Sequence, residues 1–231
     1  MQPMLFKYAP FFFPLDSNIM RSVPNYRTDK VGAFFGYQNI FKRLIDIVGA
    51  ALLLICLIPI MLALVVLVRM TSPGSAFFCQ RRLTKNGKIF TMYKFRTMDL
   101  NAESKTGAVF AESGDARITK LGRIMRQTRL DELPQLFNVL VGDMSLIGPR
   151  PERPELAESL NNVLPLFKRR LEVKAGLTGL AQTRIGYSSS LRHYRGKVAL
   201  DAIYIDNCCL FLDMRIALKT LVVLITGFGA R

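Results

Sequence analysis

The sequence predicts a mainly α-helical, membrane-associated chain with one small β-hairpin around a compact core. Three observations carry that expectation. From Ile47 to Val68 no residue is charged or strongly polar, and as a helix this stretch reaches about 33 Å, enough to cover a bilayer's hydrocarbon core. Further along, apolar residues recur at helical spacing against lysine and arginine. An Asn-Gly pair also sits between two β-favouring runs, the pattern of a hairpin.

Taken in order, residues 1–39 read as an irregular lead-in, with Pro3, Pro10, Pro14 and Pro24 and the run Phe11-Phe12-Phe13 placed to touch a membrane. They do not read as a secretory signal, because Asp16, Asn18 and Arg21 interrupt early. Residues 40–70 hold the apolar helix. Pro59 lies near its middle, where it removes a backbone hydrogen bond and crowds the preceding turn. Basic residues crowd both ends, Lys42 and Arg43 before it and Arg69, Arg81, Arg82, Lys85 and Lys88 after it, whereas a spanning helix biases them to one side. Length favours a spanning helix; the kink and the charges favour a hairpin that enters and leaves one leaflet, each half being too short to cross alone. Both readings stand on these residues.

Residues 71–231 form the rest of the chain. After the turn Thr71-Ser72-Pro73-Gly74, Ala76 to Met98 reads as a hairpin about Asn86-Gly87, and residues 99–115 as a polar mobile loop. Ile118 to Leu130 reads as a basic amphipathic helix, with Ile118, Leu121, Ile124 and Met125 opposite Lys120, Arg123, Arg126 and Arg129. A second apolar-basic helix is expected from Glu155 to Val173, open to breakage at Pro165. Leu210 to Phe228 is apolar but carries Asp213, Arg215 and Lys219, which suits a helix lying on a membrane better than one crossing it.

Composition narrows the function classes. Half the residues are hydrophobic (50%), yet the formal net charge is +15, a combination that suits an anionic lipid surface. Nucleic acid would explain the charge but not the greasy stretch. Cys56, Cys79, Cys208 and Cys209 show no zinc spacing and read as reduced thiols, and His193, the lone histidine, reads as a surface imidazole.

The chemistry concentrates at Asp131-Glu132. Such a pair is commonly a solvated helix start, but here it follows a basic helix, which is expected to keep both acids ionised. An ionised Asp can attack phosphorus, and its neighbour can hold Mg²⁺ against phosphate oxygens. Gly148-Pro149-Arg150-Pro151 sets one arginine between two prolines, stiff enough to pre-aim a phosphate clamp. Lys94, Arg96 and the helix arginines add positive charge. Gly176-Leu177-Thr178-Gly179 reads either as a loop bringing amides close to a nucleotide or as a plain connection.

Together these segments resemble a known family. Lys42 to Asp46 before a Pro-containing apolar helix, Thr71 to Gly74, Lys94-Phe95-Arg96-Thr97-Met98, Leu130 through Leu140, Gly142 through Glu152 and Gly176 to Gly179 are similar to the bacterial sugar transferases, the monotopic phosphoglycosyl transferases, in their compact catalytic form. The resemblance covers roughly residues 40–228. It implies a re-entrant helix broken at Pro59, interfacial helices around a catalytic core on the cytoplasmic face of the bacterial inner membrane, and Mg²⁺ as cofactor. It implies transfer of a sugar phosphate from a UDP-sugar to undecaprenyl phosphate with release of UMP, at the start of surface-polysaccharide assembly, alongside glycosyltransferases of the same pathway. Asp131 would be the nucleophile, Glu132 with Asp131 the metal ligands, and Arg150 the phosphate clamp. Lys94, Arg96, Arg129, Pro149, Pro151, Gly176, Thr178, Gly179 and Gln182 would complete the substrate site. Two positions depart from the family pattern: Ile58 stands where a serine can precede the proline, and Ala175 where a proline often precedes Gly-Leu-Thr-Gly. The competing class is a non-catalytic, polybasic membrane adaptor, which would tolerate loss of Asp131.

Overall fold

The computed structural model describes residues 37–99, 102, 115–185 and 191–227. Most of the lead-in expected over residues 1–39, including Phe11 to Phe13, and nearly all of the loop expected over 99–115 lie outside the described residues.

Helix α1 (Lys42–Thr71) is 30 residues long, about 45 Å at 1.5 Å per residue. The expected break at Pro59 is corrected: helical backbone continues on both sides of it. The proline ring costs one hydrogen bond, and the flanking turns remain wound. The buried residues Lys42, Asp46, Ala50, Leu54, Met61, Leu64 and Val68 form one stripe at helical spacing, while Leu52, Ile55, Leu62, Val66 and Met70 are exposed. Among the described residues this is the one helix long and apolar enough to cross a membrane.

Both ends of α1 are fastened to the same body. At its start, Lys42 Nζ donates to Asp213 Oδ2 at 2.5 Å, and the hydroxyls of Tyr37 and Tyr204 donate to the same carboxylate at 2.7 and 2.9 Å. Asp46 Oδ1 accepts from the Leu146 N–H at 2.9 Å and the Ser145 hydroxyl at 3.0 Å. Arg43 donates to the carbonyls of Val139 and Leu140, both at 2.6 Å, capping the last turn of α3 (Gln135–Val141). At the far end Arg96 donates to the carbonyls of Pro73 at 2.7 Å and Ser72 at 2.8 Å.

The hairpin forms as expected, with β1 (Phe77–Leu83) antiparallel to β2 (Ile89–Phe95). Asn86 and Gly87 both take positive φ at the turn, which this residue pair tolerates best. Period-two alternation sends Phe90, Met92 and Lys94 to one face; the first two plug the core.

Helix α2 (Lys120–Gln127) is capped by Thr119, whose hydroxyl accepts from the Gly122 N–H at 2.9 Å. It is shorter than the periodicity predicts: Ile118 bridges to Met98, and Ile124 is exposed. Strand β3 (Met144–Ile147) pairs in parallel with β4 (Ala175–Thr178), joined by α4 (Pro154–Val163) and a 3-10 segment, Phe167–Glu172. The expected helix 155–173 therefore divides before Pro165. Helices α5 (Leu180–Arg184), α6 (Leu191–Asp206) and α7 (Leu210–Thr226) complete the body. Leu210, Phe211, Met214, Leu218 and Leu221 of α7 are exposed, while Asp213 is buried and anchors Lys42.

Removing one member of a buried ion pair strands the other, at a cost of about 3–5 kcal/mol. Asp213→Asn is therefore expected to destabilise the detergent-solubilised protein by about 3 kcal/mol, read as a fall in its thermal unfolding midpoint; an unchanged midpoint would contradict the anchoring role.

Candidate active site

The carboxylate pair is delivered by an abrupt turn. Helix α2 ends, Arg129 adopts a left-handed backbone (φ 61, ψ 13), and Leu130–Glu132 form a single 3-10 turn before α3. Left-handed geometry is uncommon for a side chain larger than Asn or Gly. Here it reverses the chain so that Asp131 and Glu132 are both buried.

The two acids meet different company. Lys94, carried inward by the alternation of β2, donates to Glu132 Oε1 at 2.9 Å. Arg150 donates to the same oxygen through Nη2 at 2.5 Å and approaches Oε2 through Nη1 at 3.4 Å. Among the described residues, the Asp131 carboxylate accepts no hydrogen bond.

Electrostatics follow that division. Burial pushes Asp131 up to about 6, the nearby Lys94 charge opposing the rise and the Glu132 charge adding to it. Burial also pushes Glu132 upward, but Arg150 and Lys94 overcome it and hold that carboxyl well below its ordinary value. Desolvation outweighs Arg126 and its neighbours at Asp131, so its value rises, but a carboxyl near 6 is still mostly ionised at neutral pH. Burial lowers Lys94, with Glu132 opposing. The Glu132 charge raises Arg150, whose side chain is 38% exposed at the rim.

Among the other predicted site residues, Pro149 and Pro151 flank Arg150 as expected, and Arg129 leads the turn. Arg96 does not join the pair; its guanidinium is buried against Ser72 and Pro73 and ties the hairpin to the end of α1. Gly176 and Gly179 face protein backbone instead of an open nucleotide cradle. A Cβ on Gly176 would come within 2.1 Å of Gly148 N, and one on Gly179 within 2.2 Å of Gly148 O. Gly148 N–H donates to Thr178 O at 2.9 Å, so these glycines press the Pro-Arg-Pro segment against β4. Thr178 shares a hydroxyl contact with Thr220 at 2.8 Å, and Gln182 donates to Leu177 O at 3.0 Å. The departure at Ala175 also acquires a reason: its N–H donates to Thr84 Oγ1 at 3.2 Å, which proline cannot do.

Sequence reasoning missed Arg82, Arg170 and Asp201, which are grouped around Glu152 behind Arg150. No local pattern marks them, since they come from β1, the Phe167–Glu172 segment and α6.

Among the described residues no group of three or more His, Cys, Asp and Glu side chains forms a metal cage. Mg²⁺ needs less, one or two carboxylates with substrate phosphates and water completing its shell. The uncommitted Asp131 oxygens suit that role, whereas Glu132 could join only by sharing oxygens held by Lys94 and Arg150.

A buried acidic pair backed by cations lies in the same body as a long apolar helix docked at both ends. The bacterial sugar transferase model matches residues 37–227, and the chain belongs to that family. It is 44% identical over 190 residues to the UDP-N-acetylgalactosamine-undecaprenyl-phosphate N-acetylgalactosaminephosphotransferase of Aeromonas hydrophila, covering 82% of this chain and 45% of that protein. It is 40% identical over 191 residues to the UDP-glucose:undecaprenyl-phosphate glucose-1-phosphate transferase of Caulobacter vibrioides, covering 82% of this chain and 71% of that protein. An exopolysaccharide production protein of Rhizobium leguminosarum is 36% identical over 188 residues, covering 79% of this chain and 94% of that protein. The chain thus spans about half the length of the Aeromonas relative.

Glycine adopts the Arg129 backbone without steric cost, whereas a β-branched residue does not. Both variants lose the guanidinium, so Arg129→Val is expected to be about 1–2 kcal/mol less stable than Arg129→Gly; equal stabilities in chemical denaturation would contradict the left-handed turn.

Proposed function

We propose that this protein is a phosphoglycosyl transferase that moves a sugar 1-phosphate from a UDP-sugar to undecaprenyl phosphate, through a covalent phosphosugar on Asp131. The observation that carries this reading is the unequal treatment of adjacent acids. Glu132 is neutralised by Lys94 and Arg150, while Asp131 is dry, uncommitted and raised to about 6. A carboxylate of that value is more basic than usual yet still largely ionised near neutrality, which suits a nucleophile.

In the first half-reaction an Asp131 oxygen attacks the sugar-proximal phosphorus, forming an acyl phosphate as the bond to the bridging oxygen breaks and UMP departs. In the second, an oxygen of undecaprenyl phosphate attacks the same phosphorus, the acyl-phosphate bond breaks, and the carboxylate is restored. Arg150 clamps phosphate oxygens at the rim, and Lys94 adds charge from within. Asp131 with Glu132 and the donor's phosphates would hold Mg²⁺, which would supply further neutralisation. The relatives' donors make UDP-N-acetylgalactosamine and UDP-glucose the first substrates to try. The Rhizobium relative's name suggests exopolysaccharide assembly, with other glycosyltransferases acting next.

The docking of both ends of α1 supports a monotopic arrangement at the cytoplasmic face of the inner membrane. A helix crossing the bilayer away from the body could not hold Lys42 on Asp213 and Ser72 on Arg96 at once. The apolar side of α1 and the exposed row on α7 would enter one leaflet and bring the lipid phosphate to the level of Asp131.

Asp131→Asn is expected to lower UMP release at least about a thousandfold and abolish labelling by radiolabelled UDP-sugar; a phosphosugar adduct persisting on another residue would sink the assignment, and undiminished function would favour the adaptor. The sign of the pH effect follows from the raised value. The nucleophile is fully ionised above about pH 7 and lost as pH falls through about 6, while stability from keeping Asp131 neutral is fully present below about pH 4 and lost as pH rises through about 6. The UMP-release profile should therefore show an acid limb near 6. Asp201, also pushed up to about 6, is the control, and the limb should survive Asp201→Asn. In a variant lacking the native cysteines, Phe41→Cys and Met70→Cys should react with an impermeant thiol reagent from the same side of sealed vesicles; labelling from opposite sides would require a spanning helix.

A further inference from the structure

Arg150 is aimed by a backbone that cannot be fixed in the usual way. Pro149 and Pro151 lack N–H groups, so the segment has few donors and must be held largely by its carbonyls. Each of four successive carbonyls has a donor. Pro149 O accepts from Gly176 N–H at 2.8 Å and Glu152 O from Leu83 N–H at 2.9 Å. Between them, Arg150 O accepts from Arg170 Nη2 at 2.7 Å and Pro151 O from Arg82 Nη1 at 3.1 Å. The two central carbonyls are held by arginine side chains.

Arg170 is itself fixed. Its Nε donates to Asp201 Oδ2 at 2.8 Å, its Nη1 lies 3.6 Å from Glu152 Oε1, and its guanidinium carbon lies 5.2 Å from the Phe167 ring centroid. The Arg170 and Asp201 side chains are 7% and 3% exposed. Arg82 Nη2 donates to Gln80 Oε1 at 2.6 Å, and its Nη1 lies 3.9 Å from Glu152 Oε2. Burying such pairs is costly, and apolar side chains of similar volume often hold a fold as well. Apolar groups cannot donate to carbonyls, however, and the planar guanidinium can serve a carboxylate and a carbonyl together.

We infer that Arg170, fixed by Asp201, and Arg82 are positioning residues for Arg150: they lock the carbonyls of Arg150 and Pro151 and so hold the phosphate clamp at the rim. This rests on the role proposed above for Arg150. Neither arginine touches substrate; both act through the clamp.

The test is a double-variant cycle on the full chain in nanodiscs, measuring UMP release with UDP-N-acetylgalactosamine or UDP-glucose, whichever turns over, and undecaprenyl phosphate. Arg170→Lys keeps a charge beside Asp201 and Glu152 but gives up the fork. It is expected to raise KM for the nucleotide sugar about tenfold while kcat changes less than about threefold. In an Arg150→Ala background it should change kcat/KM by less than about twofold. Multiplying effects in the double variant would overturn the positioning role and leave the clamp standing. Parent-like kinetics for Arg150→Ala alone would overturn the clamp, and this inference with it. Thermal unfolding verifies the fold of each variant, and if Arg170→Lys does not fold, Arg82→Lys carries the same cycle with the same two outcomes.

Discussion

The buried charge on Glu132 is the constraint on which the site depends. A carboxylate out of water needs cations and donors on its oxygens, and the two it uses arrive from separate parts of the chain. Lys94 comes from the hairpin and Arg150 from the segment after β3. Satisfying Glu132 therefore draws three parts of the chain to one point, and Asp131, its neighbour in sequence, is carried to the same place with no hydrogen-bond partner among the described residues. One acid organises the site, and the other is buried beside it with a raised pKa.

A second constraint acts on the apolar helix. Lys42, Arg43 and Asp46 secure one end and Arg96 the other, and the buried stripe between them packs Ala50, Leu54, Met61, Leu64 and Val68 into the same core as Phe90 and Met92. Helix and hairpin thus share a core. The seating of the helix and the position of Lys94 are mechanically linked.

Much of this was legible in the sequence because it is local. The Asn86-Gly87 hairpin, the division before Pro165 and the acidic pair after a basic helix all follow from neighbouring residues. What was not legible depends on distance in the chain. Arg96 looks like a phosphate ligand until Ser72 and Pro73 are seen to occupy it. Gly176 and Gly179 look like a nucleotide loop until Gly148 is found against them. Arg170 and Asp201 carry no local mark, and the opposite shifts of Asp131 and Glu132 depend on burial and distant cations, which adjacent residues do not reveal. Pro59 shows the limit of local rules in another way: the lost hydrogen bond is certain, but the surrounding turns absorb it.

The Lys42–Asp213 pair also orders events in time. Its members lie 171 residues apart, so at a synthesis rate of about 5–20 residues per second the lysine waits roughly ten to thirty seconds for its partner. For most of that interval the apolar helix, which ends at Thr71, is complete while Asp213 has not yet been made. The start of α1 therefore reaches its final seat well after the helix itself is made, and until then Lys42 must be satisfied by something other than Asp213.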